Sequence, residues 1–241
     1  MDEKMIPKIL QLHWFWNDWP AFGDQIVAEW TAMLPDWDIM VLREIPDDFP
    51  EDLRPFLDEE RIPPANRGDL IRNYTMWKYG GIYVDFDTRP IKPFDDDLLN
   101  RKCFLPFCNG RDEEVSVNRG WIDSCILGSE QGHPFWLDVL ENCRRPATWA
   151  NPAQWFCGFN TFTGYKTRDD VDVLPNLCQE VERGLDIMRF AQGKDHSPAV
   201  GRGYMKHYRA NAMLAFLRGW DNHHLAKTWK ELYGVDAPEH I

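Results

Sequence analysis

The chain has 241 residues, 44% of them hydrophobic, which is within the range of one α/β domain and long enough for a substantial core. A net charge of −12 and a sequence pI near 5.0 disfavour nonspecific nucleic-acid binding, which needs a basic footprint. No apolar run approaches a membrane span and the opening Met-Asp-Glu-Lys is no signal peptide, so the chain reads as soluble and cytoplasmic.

Residues Ile6 to Trp16 form the first predicted strand, apolar with polar interruptions at Gln11 and His13. Asp18 to Leu34 holds a helix whose apolar stripe is Ile26, Val27, Trp30, Met33 and Leu34. A turn at residues 35–38 leads into a second strand, Ile39 to Leu42. Strand, helix and strand in this order indicate a right-handed crossover and a mostly parallel sheet. Residues 44 to 64 are acidic and Pro-rich, a surface loop with a short helix near Leu53 to Leu57.

The stretch from Arg67 to Pro90, R-G-D-L-I-R-N-Y-T-M-W-K-Y-G-G-I-Y-V-D-F-D-T-R-P, organises the rest. Leu70, Ile71, Tyr74 and Trp77 fall on one apolar stripe of a helix, with Asp69, Arg72 and Asn73 on the adjacent polar one. Pro63 and Pro64 suit the helix entry, and Gly80-Gly81 its exit. Ile82-Tyr83-Val84 then reads as a buried strand, followed at once by Asp85 and Asp87. Strand side chains two residues apart point the same way, so both carboxylates face one cleft if the chain stays extended, and if it turns the two still sit within reach of one ion. Two close carboxylates repel, and one would ordinarily take up a proton. A divalent cation such as Mn²⁺ or Mg²⁺ removes that conflict, and such ions commonly bind one or two carboxylates plus substrate phosphates.

Beyond this pair, Thr88 to Phe94 leads the chain away from the site, and Asp95-Asp96-Asp97 reads as a solvated charge run. Strands are expected at Cys103 to Phe107, Trp121 to Leu127 and Val171 to Leu174, and a helix at Pro134 to Cys143. Residues 109–120 form a polar loop. The aromatic, Gly-rich stretch 146–164 reads either as an acceptor pocket or as a helix with a packed turn. Residues 183–203 are loop-like, and Asn211 to Tyr233 suits two helices. The six scattered cysteines show no C-x-x-C pair and read as reduced core residues.

The string D-L-I-R-x-x-x-x-x-x-Y-G-G-I-Y-V-D-x-D resembles the sugar-binding signature of the family 32 glycosyltransferases, a group that includes fungal mannosyltransferases, bacterial capsule enzymes and, distantly, clostridial glucosylating toxins. The opening I-P-K-I-L-Q-L-H-W-F-W and the later I-L-G-S-E-Q-G-H-P-F-W resemble two further segments of that family. The resemblance implies a GT-A fold, with a Rossmann-like central mixed sheet flanked by helices and further helices at the C-terminus. It implies a nucleotide-sugar donor, a UDP- or GDP-sugar, and a metal-dependent transfer that retains the anomeric configuration. Carried over to this chain, Trp14 stacks on the nucleobase, while Asp69, Arg72, Tyr83 and Asp85 contact the donor. Asp123 lies near the donor sugar, and Asp87, Asp85 and His207 hold the metal. Lys206 and Arg209 are diphosphate partners. His13 and Trp16 depart from the family pattern, and the S-W that follows the family's late histidine is missing after His207.

The expected organisation is a single domain over residues 1–241, with nucleotide-sugar binding in 1–127 and the acceptor side and C-terminal part in 128–241. The acceptor stays open among saccharide, lipid-linked sugar, protein and a hydroxylated DNA base, the last disfavoured by the negative charge. Two other classes remain: a catalytically silent sugar- or nucleotide-binding protein of the same fold, and a metal-dependent nucleotidyltransferase.

Overall fold

The computed structural model describes residues 6–15, 18–58, 64–107, 122–144, 168–175, 177–180, 189–190, 193, 195, 198–200 and 203–208. The expected readings of 109–120, 146–164 and Asn211 to Tyr233, and of Trp16 and Arg209, fall outside these residues.

Alternation along the first strand sets the layering. In β1 (Ile9–His13), Leu10 and Leu12 face one side of the sheet and pack beneath α1 (Gly23–Met33), with Ile26 and Trp30. Gln11 and His13 face the other side and meet Thr75 and Tyr83. Tyr83, Leu105 and Leu127 pack there with α3 (Pro64–Tyr79) and α5 (Pro134–Cys143), through Leu70, Ile71, Tyr74, Phe135, Trp136 and Val139. The sheet therefore carries helices on both faces, as expected. The other short helices are α2 (Arg54–Leu57) and α4 (Asp96–Leu99). Asp95, read as part of a solvated charge run, accepts a hydrogen bond from Leu98 N and caps α4.

Six strands form the main sheet in the order β2-β1-β3-β6-β5-β7, with β2 at Asp38–Leu42, β3 at Gly81–Val84, β5 at Cys103–Pro106, β6 at Ile126–Ser129 and β7 at Asp172–Leu174. The predicted parallel character holds for β2, β1 and β3 and for the β5–β7 pair. Strand β6 runs antiparallel to both β3 and β5, so the sheet is mixed, as the resemblance implied. A second, three-stranded sheet contains β4 (Thr88–Pro90), β9 (Met205–His207) and β8 (Cys178–Glu180) in that order, β9 being antiparallel to β4 and parallel to β8.

The turn from α3 into β3 needs its two glycines. Gly80 and Gly81 have φ of 65° and 91°, a region disfavoured for side-chain-bearing residues. A Cβ on Gly81 would also lie 2.4 Å from the carbonyl oxygen of Ile9. This close approach lets β3 register beside β1, with Leu10 opposite Ile82. From β1, the Gln11 amide donates to the carbonyls of Thr75 and Gly80, satisfying acceptors at the end of α3.

The reading of α3 as an amphipathic helix is corrected: Leu70 to Met76 are buried on every side, Arg72 and Asn73 included. The cysteine reading is corrected in part. Cys103, Cys125 and Cys178 are buried outside any disulfide, but Cys143 is disulfide-bonded.

Candidate active site

The segment Asp85–Phe86–Asp87 joins the two sheets, leaving β3 at Val84 and entering β4 at Thr88. Its backbone is held at both ends. Asp85 N donates to Cys125 O at 2.9 Å, and the Thr88 hydroxyl donates to Asp85 O at 2.7 Å. Phe86 is buried against Trp14, Trp19 and Phe22, at ring separations of 5.4, 5.1 and 6.2 Å. With that ring fixed in the core, the carboxylates on either side are brought together beside a third group.

That group is His207, whose position follows from strand pairing. On β9, His207 registers opposite Thr88, and Tyr208 N donates to Asp87 O at 3.0 Å. His207 Nε2 lies 3.3 Å from both Asp85 Oδ2 and Asp87 Oδ1. One ligand atom from each of Asp85, Asp87 and His207 falls within 4.8 Å of the others. Two ligands each about 2.2 Å from a shared cation lie no more than about 4.4 Å apart, and the two 3.3 Å separations from His207 Nε2 fall within that limit. The donor set, two carboxylates and an imidazole, is one that divalent cations take. Asp87 and His207 are buried while Asp85 stays partly open. Burial pushes the Asp85 carboxyl up to about 7; His207 pulls it down and the Asp87 charge adds to the rise. A cation would relieve both the burial penalty and the repulsion.

Asp85 also reaches the opposite way. Its Oδ1 accepts from the Tyr83 hydroxyl at 2.8 Å and lies 3.9 Å from Arg72 Nη1. Arg72 Nη2 meets Asp69 Oδ1 at 2.7 Å, Nη1 donates to Ser124 O at 3.3 Å, and the guanidinium lies 5.0 Å from the Tyr83 ring centre. Burial works against the Arg72 charge, but Asp69, Tyr83 and Asp85 outweigh it and hold the group protonated. Burial pushes Asp69 up to about 6, against the pull of Arg72. Asp69, Arg72, Tyr83 and Asp85 thus form a connected polar wall running into the Asp85–Asp87–His207 cluster.

Two other sequence-predicted residues stand apart from this wall. Trp14 has a core position: its ring is 6% exposed and packs edge-on to Phe22, and its Nε1 donates to Asp18 O at 2.8 Å. Asp123 lies just ahead of β6, where its carboxylate accepts from Ser124 N and its own amide donates to Pro106 O. Its neighbours Ser124 and Cys125 touch Arg72 and Asp85 through their carbonyls. Lys206 lies opposite Arg89 in the β4–β9 register.

Sequence reasoning missed the buttress behind the cluster. Arg89 is 2% exposed and forms a two-pronged ion pair with Glu29 of α1, at 2.7 and 2.5 Å, while Asp195 lies 3.4 Å away. This ties β4, and with it the strand pairing that presents His207, to the helix on the main sheet. The one available signal was an arginine directly after the D-x-D in a segment otherwise read as a way out of the site.

Residues 24–105 match the family described as "Glycosyltransferase sugar-binding region containing DXD motif". This stretch of the chain is similar to that sugar-binding region. That region holds Asp69, Arg72, Tyr83, Asp85 and Asp87, as the resemblance in the sequence implied; Trp14, Asp123 and His207 lie outside it. The chain is 28% identical over 148 residues to inositol phosphoceramide mannosyltransferase 3 of Schizosaccharomyces pombe, covering 58% of this chain and 38% of that protein. It is 27% identical over 165 residues to mannosyl phosphorylinositol ceramide synthase CSH1 of Saccharomyces cerevisiae, covering 67% of this chain and 40% of that protein. The chain therefore spans about two fifths of the length of these curated relatives. In three dimensions it is similar to PaToxG glycosyltransferase, with a TM-score of 0.50 and 12% identity over 67% of this chain and 69% of that one. The fold is of GT-A type. No described helix is long and apolar enough to cross a membrane.

Proposed function

We propose that the protein is a metal-dependent, retaining hexosyltransferase that moves a sugar from a nucleoside-diphosphate donor to an acceptor hydroxyl, with residues 1–241 acting as one catalytic domain. The observation that carries this reading is the convergence of Asp85, Asp87 and His207 within 4.8 Å, at a junction lined by Asp69 and Arg72. These three residues would hold Mn²⁺ or Mg²⁺. When bound, the ion neutralises charge that builds on the diphosphate as the glycosidic C–O bond breaks.

The protein's own groups do the rest. Asp69, a carboxylate held by a buried arginine, accepts hydrogen bonds from sugar hydroxyls. Arg72 keeps that carboxylate in place and sets the Tyr83–Asp85 side of the wall; its planar fork serves several oxygens at once. Asp85 links the two halves, with one oxygen toward Tyr83 and Arg72 and the other toward His207. Among the described residues none is poised as an obvious base for the acceptor. In a retaining transfer the departing phosphate itself can take that proton. The names of the fungal relatives make mannose the leading sugar and an inositol-containing sphingolipid the leading acceptor. The Cys143 disulfide favours an oxidising compartment over the cytoplasm.

The test is incubation with UDP- and GDP-hexoses and candidate acceptors, with Mn²⁺ or a chelator, followed by product analysis. Metal-dependent release of nucleoside diphosphate, with an α-configured product from an α-configured donor, is the expected result. Release of pyrophosphate would identify a nucleotidyltransferase instead, and donor binding without turnover would identify a silent binding protein.

A further inference from the structure

Two thiols that the proposed chemistry does not use meet beneath the site. Cys125 and Cys178 are buried and not disulfide-bonded, and their Sγ atoms lie 3.2 Å apart although 53 residues separate them. They belong to different sheets. Cys125 immediately precedes β6 of the six-stranded sheet, whereas Cys178 opens β8 of the three-stranded one. Each is also one backbone step from the cluster. The Cys125 carbonyl accepts the Asp85 amide at 2.9 Å, and Cys178 registers opposite Met205 on β9, the strand that ends in His207.

We propose that Cys125 and Cys178 are an oxidisable pair that closes into an intramolecular disulfide, fastening the two sheets to each other beside the Asp85–Asp87–His207 cluster. A disulfide needs its sulfurs about 2.05 Å apart, so the contact has to shorten by little more than about 1 Å. The oxidant is of the disulfide class, for example oxidised glutathione. Cys178, 5% exposed where Cys125 is fully buried, is the entering thiol. Its thiolate attacks one sulfur of the oxidant and expels the first thiol, leaving a mixed disulfide. The Cys125 sulfur then displaces the second thiol and forms the Cys125–Cys178 bond. The pair loses two protons and two electrons, and the oxidant departs as two reduced thiols. Complete burial keeps the Cys125 sulfur out of reach of an oxidant in the folded state. Closure is therefore slow in the closed structure and proceeds during folding or local opening, when an oxidant can reach Cys178.

A second consequence rests on the metal reading above. Fixing β8 to the segment before β6 limits how far His207 can drift from Asp85, so the oxidised protein should bind Mn²⁺ about threefold or more tightly than the reduced one.

The experiment refolds the full chain in a glutathione redox buffer, alkylates remaining thiols under denaturing conditions, and maps linked peptides by mass spectrometry. Mn²⁺ titration calorimetry is run on the oxidised and reduced forms. The expected result is a Cys125–Cys178 peptide in the oxidised sample. It is accompanied by a melting midpoint raised by roughly 5–10 °C, the scale for closing a loop of this length in a chain of this size. The rise is lost on reduction and absent in Cys178→Ser. Both thiols remaining alkylatable while Cys143 stays bridged, or either pairing with another cysteine, overturns the proposal. The wild-type peptide map decides this even if the serine variant does not fold. A linked peptide with unchanged Mn²⁺ affinity overturns the coupling to the cluster and sustains the disulfide. Absence of Mn²⁺ binding in both redox states counts against the metal reading and not against the pair.

Discussion

Replacing Arg72 with Met keeps the aliphatic stem and removes the charge that pairs with Asp69. The side chain is 2% exposed and its guanidinium meets Asp69, Asp85, Tyr83 and the Ser124 carbonyl. Removing one partner of a buried ion pair costs about 3–5 kcal/mol, because the other charge is left unpaired. The cost depends on pH in a defined direction. Asp69 sits at about 6, above its unfolded value of 3.8, so its contribution is fully present below about pH 3.8 and lost as pH rises through 6. Arg72 pulls that value down, so the variant keeps Asp69 protonated to still higher pH. Urea unfolding in a chelator should give the full loss at pH 8. At pH 5 the loss should shrink to the missing hydrogen bonds, about 1–3 kcal/mol. Adding Asp69→Asn to the Met variant should restore part of the loss at pH 8, since the orphaned charge is gone. A loss that is the same at both pH values, or a double variant no more stable than the single, refutes this account.

Asp87→Asn should lower metal-dependent turnover by at least ~100-fold, the scale of losing one strong electrostatic stabiliser, with an unchanged circular dichroism spectrum. Gly81→Ala should destabilise by at least about 2 kcal/mol, since the left-handed backbone and the Ile9 carbonyl both oppose a Cβ; denaturant titration checks it. Tyr74→Ala should cost roughly 2–4 kcal/mol by the same measurement, because the ring is 4% exposed and packs edge-on to Phe49. His13 is held down to about 3, first by burial and then by Arg72, so its contribution is present above its unfolded value of 6.5 and lost as pH falls toward 3. Stability should therefore drop by roughly 2 kcal/mol between pH 6.5 and 4.5, and His13→Gln should flatten that slope.

Much of the polar wall was legible in the sequence because its parts are close in the chain. The period of α3, the Gly-Gly stop, the β3 run and the two aspartates sit within one contiguous stretch, and each has a local physical cause. Helix α5, predicted at Pro134 to Cys143, has those bounds. The three-residue strands β4 and β8 were not legible. Neither has a pattern long enough to alternate, and both exist through pairing with the distant β9. The burial of Arg72 was hidden for a related reason. Its i−3 partner Asp69 is visible in the sequence, but the Tyr83 ring and the Ser124 carbonyl that complete its surroundings arrive by tertiary packing. His207 was found through resemblance, since only the register opposite Thr88 brings it to the aspartates.

The pairing of β4 with β9 spans about 120 residues, whereas Asp69, Arg72, Asp85 and Asp87 lie close together in the chain. Contacts between distant segments form late, because loop closure must come before they give any return. The polar wall can therefore assemble while β9 is still free, and His207 joins in one of the last steps. During synthesis a ribosome-bound chain ending short of residue 207 would carry the wall without its histidine. On the proposed metal reading, capacity to bind the ion would then mark completion of folding, and a partly folded chain would hold it weakly or not at all.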